Sequence, residues 1–178
     1  RELKDGARKI DYNENVIVSP ADGKILAYQN IKEVDKFFVK GSKFTLEEFF
    51  NDKELAKKYE DGTFVIVRLA PADYHRFHFP VDGEISEIKK ILGYYYSVST
   101  HAIKTNFRIF CENKREYAIL KTEKFGDIAM FDIGATMVGG IVQTYKTNSS
   151  VKKGEEKGYF LFGGSTCILV FEKDKVVI

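Results

Sequence analysis

Phe162-Gly163-Gly164-Ser165-Thr166 runs directly into Cys167-Ile168-Leu169-Val170-Phe171, close to the C-terminal end of a 178-residue chain. Glycine adopts backbone angles that other residues avoid, so Gly163-Gly164 reads as a sharp turn ahead of an apolar β-strand. The pair also leaves the Gly164 carbonyl unshielded. The Ser165 hydroxyl follows at once, in a turn able to hold it near attack geometry on that carbonyl. Taken alone, a Gly-Gly turn before a strand is common. The rest of the chain decides what this one means.

Working outward, the same strand grammar recurs. Val16-Ile17-Val18 precedes Pro20-Ala21-Asp22-Gly23, a turn that opens a strand at Lys24-Ile25-Leu26-Ala27. Thr63-Phe64-Val65-Ile66-Val67-Arg68-Leu69 reads as a buried strand, and strand-like runs follow at about 84–92, 94–99, 107–111, 116–121, 127–132 and 139–145. One helix stands out. Thr45 with Glu48 three residues on forms a capping box, Leu46, Phe49, Phe50 and Leu55 supply the apolar face, and Gly62 marks the end. Many short strands and a single good helix predict a mainly β domain, β-rich α+β, of sandwich or barrel-like type. Pro20-Ala21-Asp22-Gly23-Lys24-Ile25 returns as Pro80-Val81-Asp82-Gly83-Glu84-Ile85, which predicts two related β units about a pseudo-symmetry axis.

Length predicts one domain over residues 1–178, large enough to bury a core. Hydrophobic residues make up 44% and charged residues 30%, the balance of an ordinary globular protein, and a net charge of +2 without a basic block gives no nucleic-acid footprint. Cys111 and Cys167 lie far apart with no CxxC, so neither a disulfide framework nor a zinc site is read. No apolar run approaches the ~20 residues of a membrane span.

Three histidines are present, His75, His78 and His101, and two of them fall in Asp73-Tyr74-His75-Arg76-Phe77-His78. A metal reading lacks a third ligand and the HExxH frame, so no metal is expected. A nucleophilic serine needs a base, and the base an orienting carboxylate. The residues supply Ser165, one of the paired histidines, and an Asp in a constrained turn (Asp22, Asp73 or Asp82). A Gly-x-Ser-x-Gly elbow would need glycine where Cys167 stands, which excludes an ordinary α/β-hydrolase.

Four separated blocks, in order, resemble the pyruvoyl-dependent phosphatidylserine decarboxylase family: Ser19-Pro20-Ala21-Asp22-Gly23; Leu69-Ala70-Pro71-Ala72-Asp73-Tyr74-His75-Arg76-Phe77-His78-Phe79-Pro80; Ile133-Gly134-Ala135-Thr136-Met137-Val138-Gly139; and Phe162-Gly163-Gly164-Ser165-Thr166 in the position of the self-cleavage motif. Tyr95-Tyr96-Ser97-Val98-Ser99-Thr100 departs from it, lacking the Asn-Pro that commonly follows Tyr-Ser-Val in the family. The resemblance implies that Ser165 attacks the Gly164 carbonyl and that the chain splits there, into a β chain of residues 1–164 and an α chain of residues 165–178. Ser165 then becomes a pyruvoyl cofactor that forms a Schiff base with the substrate amine. It further implies that Asp22 orients His78 as general base on Ser165, that His75 is the proton donor in decarboxylation, and that Tyr96 and Ser97 bind substrate. Thr166 and nearby backbone N–H groups are expected to help hold the oxyanion.

The substrate so implied is phosphatidylserine and the product phosphatidylethanolamine. Partners would be a membrane surface, the β and α chains with one another, and in one arrangement a second copy as a homodimer; nucleic acid is not among them. The expected location is peripheral, on the cytoplasmic face of a bacterial inner membrane, with the mitochondrial inner membrane as alternative. The family's N-terminal membrane-associating region is expected to be absent from this stretch. Phe37, Phe38, Phe44, Phe49 and Phe50 would face lipid or an acyl pocket, or else pack inward as helix-face aromatics usually do. Two rival readings make different predictions: a pyruvoyl decarboxylase of another serine-headgroup lipid or amino acid would still cleave itself, whereas a non-enzymatic β-rich binding module would stay intact.

Overall fold

The computed structural model describes residues 3–4, 6–30, 44–135, 140–161 and 163–178. In chain order these form β1 (Lys24–Tyr28), α1 (Leu46–Phe50), α2 (Lys53–Lys58), β2 (Thr63–Leu69), β3 (Arg76–His78), β4 (Gly83–Ile85), β5 (Lys89–Ile91), α3 (Thr100–Thr105) and α4 (Ile109–Glu112). The remaining elements are β6 (Arg115–Lys121), β7 (Asp127–Ile133), β8 (Gly140–Gln143), β9 (Ser149–Val151), β10 (Glu156–Leu161) and β11 (Ser165–Phe171). The mainly β expectation holds. The strands make an antiparallel eight-stranded sheet, in the order β1-β2-β11-β7-β6-β4-β9 with β5 also on β6, and a three-stranded sheet, β3-β10-β8. They do not close into a barrel among the described residues.

The helix reading needs correction in two places. The capping box at Thr45 is formed, with Glu48 N–H donating to Thr45 Oγ1 at 3.1 Å and Thr45 N–H to Glu48 Oε2 at 2.8 Å. The helix then stops at Asn51, whose φ of 50° is left-handed, and restarts as α2 under a new cap, Asp52 accepting from Leu55 N–H at 3.0 Å. Asn tolerates that backbone and Asp is a strong N-cap, so the adjacent pair splits one helix into two. The run 107–111, expected as a strand, falls largely within α4. Asn106 Oδ1 accepts the Arg108 N–H at 3.0 Å, and Phe107 and Phe110, three apart, pack edge-on in the core at 5.0 Å. The run 94–99 makes only an isolated bridge, Tyr94 to Asn113.

The repeat is realised as local pseudo-symmetry. Val18 N–H donates to Pro80 O at 3.1 Å and His78 N–H to Pro20 O at 2.7 Å, so each Pro-x-Asp-Gly segment binds the residue two before the other's proline. Gly23 and Gly83 then run so close to the neighbouring strand that a Cβ would lie 2.4 Å from Arg68 O and from Lys121 O respectively. Only glycine passes there. Each segment opens a short strand and, after two short helices (preceded by β5 in the second half), closes on a long antiparallel partner: β1 on β2, and β4 on β6. The two halves meet where β11 pairs with β7.

One face of the large sheet packs Phe64, Phe131 and Tyr117 against Phe49, Phe50 and Tyr59 of the helical layer, with Phe49 and Phe131 centroids 4.1 Å apart. Phe49 and Phe50 are therefore core; Phe44 is half-buried, stacked on Phe107. Phe37 and Phe38 lie outside the described residues. The buried cation Arg115 ties this layer to the sheet, donating to Phe49 O at 2.9 Å and Glu48 O at 2.8 Å, and burial holds its pKa below the usual arginine value. The other face carries Val67, Cys167, Asp132 and Glu116 in one cross-strand row and faces the three-stranded sheet.

Between the two sheets lies the one ion pair among the described residues whose side chains are both buried, Lys157 to Asp132. Lys157 is the extra residue of a β-bulge, sitting between Glu156 opposite His78 and Gly158 opposite Phe77. A bulge re-aims a side chain, and here it points an ammonium into the core. Gln143 bridges the pair, donating to Asp132 Oδ2 at 2.8 Å and accepting from Lys157 Nζ at 3.1 Å. Breaking a buried pair by removing one partner strands a charge, whereas replacing both by apolar groups does not. Lys157→Met is expected to cost about 3–5 kcal/mol in urea unfolding at neutral pH, and the double change Lys157→Met with Asp132→Leu to recover most of it.

Candidate active site

Ser165 is the first residue of β11, fully buried and paired with Leu69 on β2. The turn before it passes through Gly163 at φ 98°, a backbone in which a side chain would be strained. Gly164 has more room, since a Cβ there would meet Val98 Cγ2 at 3.6 Å and Leu69 O at 3.8 Å, ordinary contacts. Thr166 follows, fully buried, opposite Arg68 on one side and Ile133 on the other. Of the Gly-Ala-Thr segment, Gly134 lies near the Tyr95 ring and Ala135 is buried. Thr136, Met137, Val138, Gly139 and Phe162 fall outside the described residues.

The histidines arrive from the loop after β2. Asp73 closes it, its carboxylate accepting Ala70 N–H at 2.7 Å while its own N–H donates to Ala70 O at 2.9 Å. The reversal brings His75 over the Leu69–Ser165 pair, with Nδ1 3.3 Å from Ser165 Oγ. Phe160 N–H holds the His75 carbonyl at 3.0 Å. His75 Nε2 is buried and makes no hydrogen bond.

His78 sits three residues on, in a different setting. Its Nδ1 is 3.0 Å from the Gly154 carbonyl and its Nε2 3.4 Å from the Tyr74 hydroxyl. A carbonyl only accepts, so Nδ1 carries the proton and Nε2 keeps its lone pair toward Tyr74. That is the tautomer of a base.

Asp22 is clamped by Arg8, with Nε 3.1 and 3.0 Å from its two oxygens and Nη2 2.5 Å from Oδ2. The contact raises the Arg8 pKa, chiefly through the hydrogen bond and then through charge. The segment carrying Arg8 is pinned by Lys153, a nearly buried side chain whose ammonium donates to Asp11 O, Asn13 O and Val16 O at 3.0, 2.7 and 2.8 Å. Of the other aspartates in turns, Asp73 is used as described. Asp82 accepts from Lys152 Nζ and Lys153 N–H, which hold its carboxyl below the usual range.

The structure therefore brings together His75, Ser165 and Gly164. Among the described residues no hydrogen bond joins His78 to Ser165 or Asp22 to His78. Tyr96 and Ser97 lie in the loop over the site. Asn113 staples that loop, donating to Tyr96 O and Gly134 O and accepting from Tyr96 N–H, each at 2.8 Å. Tyr96 itself is 45% exposed and Ser97 Oγ accepts Ser99 N–H at 3.2 Å. Sequence reasoning passed over Arg8, Tyr74, Asn113 and Arg68. Only Arg68 carried a signal, as a cation inside an apolar strand.

Lys153→Met removes three hydrogen bonds to the Arg8 segment. Amide exchange at Val16 and Val18 is expected to quicken about tenfold or more, measured by hydrogen–deuterium exchange, with β11 amides unchanged.

All 178 residues, 1–178, match the family model described as phosphatidylserine decarboxylase. A phosphatidylserine decarboxylase proenzyme of Fusobacterium nucleatum subsp. nucleatum is 99% identical over 178 residues, all of this chain and 59% of that protein. Those of Clostridium novyi and Clostridium tetani are 52% and 51% identical, over all of this chain and 60% of each. The chain thus spans about 60% of the length of these curated relatives.

Proposed function

The chain belongs to the phosphatidylserine decarboxylase family, and on that premise we propose that it is the catalytic part of a pyruvoyl-dependent enzyme that first cleaves itself between Gly164 and Ser165 and then decarboxylates phosphatidylserine to phosphatidylethanolamine. The observation that carries this reading is a fully buried serine behind a left-handed glycine turn, with an imidazole at its hydroxyl.

In the first reaction a base takes the Ser165 proton, Oγ bonds to the Gly164 carbonyl carbon, and the peptide C–N bond breaks to leave an ester and a free amine. Elimination then releases the Gly164 carboxylate and leaves an unsaturated residue at 165, which water converts to a pyruvoyl group with loss of ammonia. The surroundings fit such a group. Residue 165 pairs with Leu69 on β2, and Thr166 after it pairs with both β2 and β7, so scission leaves residue 165 held at the start of an anchored strand. His75 Nε2, buried without a partner, gives position 165 a neighbour with an unused proton site. When formed, the ketone supplies an electron sink that no standard side chain offers.

The division of labour we propose gives scission to Asp22, His78 and Ser165, and proton delivery at position 165 to His75. His75 already touches that position. For His78 to reach it, Tyr74 must release Nε2, and for Asp22 to orient His78, Arg8 must release the carboxylate. The substrate is a bilayer lipid, so we place the protein peripherally on the cytoplasmic face of a bacterial inner membrane. The exposed Leu92, Tyr94, Tyr95 and Tyr96, on the loop that packs Val98 against Gly164, support contact with a membrane surface, because Tyr favours membrane–water interfaces. Among the described residues no helix is long and apolar enough to cross a membrane.

Intact mass measurement after treatment with a hydrazide is expected to show two pieces split at Gly164–Ser165, the smaller one carrying a hydrazone. A single unmodified chain after long incubation near neutral pH would overturn the proposal. His78→Asn is expected to block scission. His75→Ala is expected to cleave but to lose decarboxylation by about two orders of magnitude or more. The reverse pattern would assign the base to His75.

A further inference from the structure

Arg68 is the one charged residue in the apolar strand Thr63–Leu69, and nothing in the self-cleavage chemistry uses it. It is half-buried. Its Nε–H donates to Val98 O at 2.7 Å, and Val98 is the residue whose side chain packs on Gly164. This bond fixes the plane of the guanidinium beside the scissile peptide. The two Nη groups make no hydrogen bond or ion pair among the described residues.

The cross-strand neighbours sharpen the point. Lys24 on β1 and Thr166 on β11 lie directly opposite Arg68 on either side, and residues directly opposite share a face. Lys24 has no acidic partner among the described residues. Two like charges directly opposite each other destabilise a sheet. Thr166 is fully buried, and its hydroxyl is hydrogen-bonded to nothing. A buried unsatisfied hydroxyl carries a free-energy cost as well. A half-buried guanidinium, an exposed ammonium and an unpaired hydroxyl in one row, next to the bond that is to be cut, offer a single anion three donors. A phosphate group matches that set: guanidinium binds it through two donors, ammonium as a point charge, and hydroxyl through a single hydrogen bond.

We propose that Arg68, Lys24 and Thr166 form the anchor for the phosphodiester of the lipid headgroup. The proposal rests on the phosphatidylserine reading for the identity of the ligand, not for the existence of the anion site. It explains how an enzyme for a lipid would discriminate against free serine: the phosphate is bound across the row, on the sheet face opposite the Ser165 side chain, while the serine amine reaches round the start of β11 to position 165.

The test is calorimetric titration of the whole chain with glycerophosphoserine, inorganic phosphate and free serine in separate arms, which needs no turnover. Glycerophosphoserine is expected to bind, with phosphate weaker and serine weaker still. Arg68→Gln is expected to weaken glycerophosphoserine about tenfold or more, and Thr166→Val and Lys24→Gln severalfold. Lys104→Gln, a surface charge control, should leave the affinity unchanged. Lys24 is exposed at a sheet edge, so its variant folds even if the buried substitutions do not. Arg68→Lys, which keeps the charge and loses the fork, should recover part of the affinity. Equal affinities for Arg68→Gln and the parent would overturn the anchor. Inorganic phosphate binding as tightly as glycerophosphoserine would overturn its assignment to the headgroup. A chain that binds glycerophosphoserine but never cleaves itself would remove the enzymatic reading and leave the anion site standing.

Discussion

The buried pair Lys157–Asp132 is the contact on which the rest of this structure depends. The two histidines ride on the small sheet or its entry loop, and Ser165 begins an interior strand of the large one. Both cysteines are free, so no disulfide fixes one sheet over the other. Apolar packing between them, in a core that gathers Phe77 and Phe160 of the small sheet with Val67 and Cys167 of the large one, is non-directional and tolerates sliding. A desolvated ion pair does not. It is strong only at one separation and one geometry, and Gln143 fixes that geometry from the side. Such a pair contributes little net stability compared with apolar replacements. What it contributes is register, and the 3.3 Å contact between His75 and Ser165 is a register-sensitive distance.

The row that carries Asp132 also explains the chemistry that is absent from it. Glu116 lies directly opposite Asp132, two carboxylates against one buried ammonium, with Lys90 reaching Glu116 from the exposed edge at 3.7 Å. Burial beside this negative row raises the Cys167 thiol pKa well above its ordinary value. Cys167 is two residues from Ser165 on the same face, and in another setting it would be the better nucleophile. As a neutral thiol it is inert. The sheet thus keeps its one buried cysteine out of reaction while leaving the serine beside a free imidazole.

Much of the fold was legible because strands announce themselves by alternation and turn residues. The Pro-x-Asp-Gly echo, visible as four identities in six residues, became a pair of reciprocal hydrogen bonds and matching halves of a sheet. The errors have local causes. Asn51-Asp52 ended and restarted a helix within two residues, a signal present in the sequence but shorter than the helical period it interrupted. Phe107-Arg108-Ile109-Phe110-Cys111 is as apolar as a strand, and only the Asn106 side-chain bond and the i, i+3 pairing of its rings make it a helix. Within the site, the motif residues were all visible, but their pairings were not. Which histidine meets Ser165 depends on the Asp73 turn, and where Asp22 points depends on an arginine fourteen residues away held by a lysine from the other end of the chain. No local pattern encodes contacts of that separation.

Those long-range contacts have a consequence for how a serine can be both stable in the folded chain and reactive. The base we propose, His78, has its Nδ1 proton on the Gly154 carbonyl and its Nε2 lone pair toward Tyr74. The carboxylate we propose to orient it, Asp22, is paired with Arg8. Both restraints are weak individually, one a long hydrogen bond to a neutral phenol and the other a pair open to water, which screens it. Each is also local to a loop or strap rather than to the sheets. Releasing them leaves the Lys157–Asp132 contact and both sheets intact. On the proposed division of labour, the sheets fix where Ser165 and the histidines stand, and release of Nε2 by Tyr74 and of the carboxylate by Arg8 is what lets base and carboxylate act.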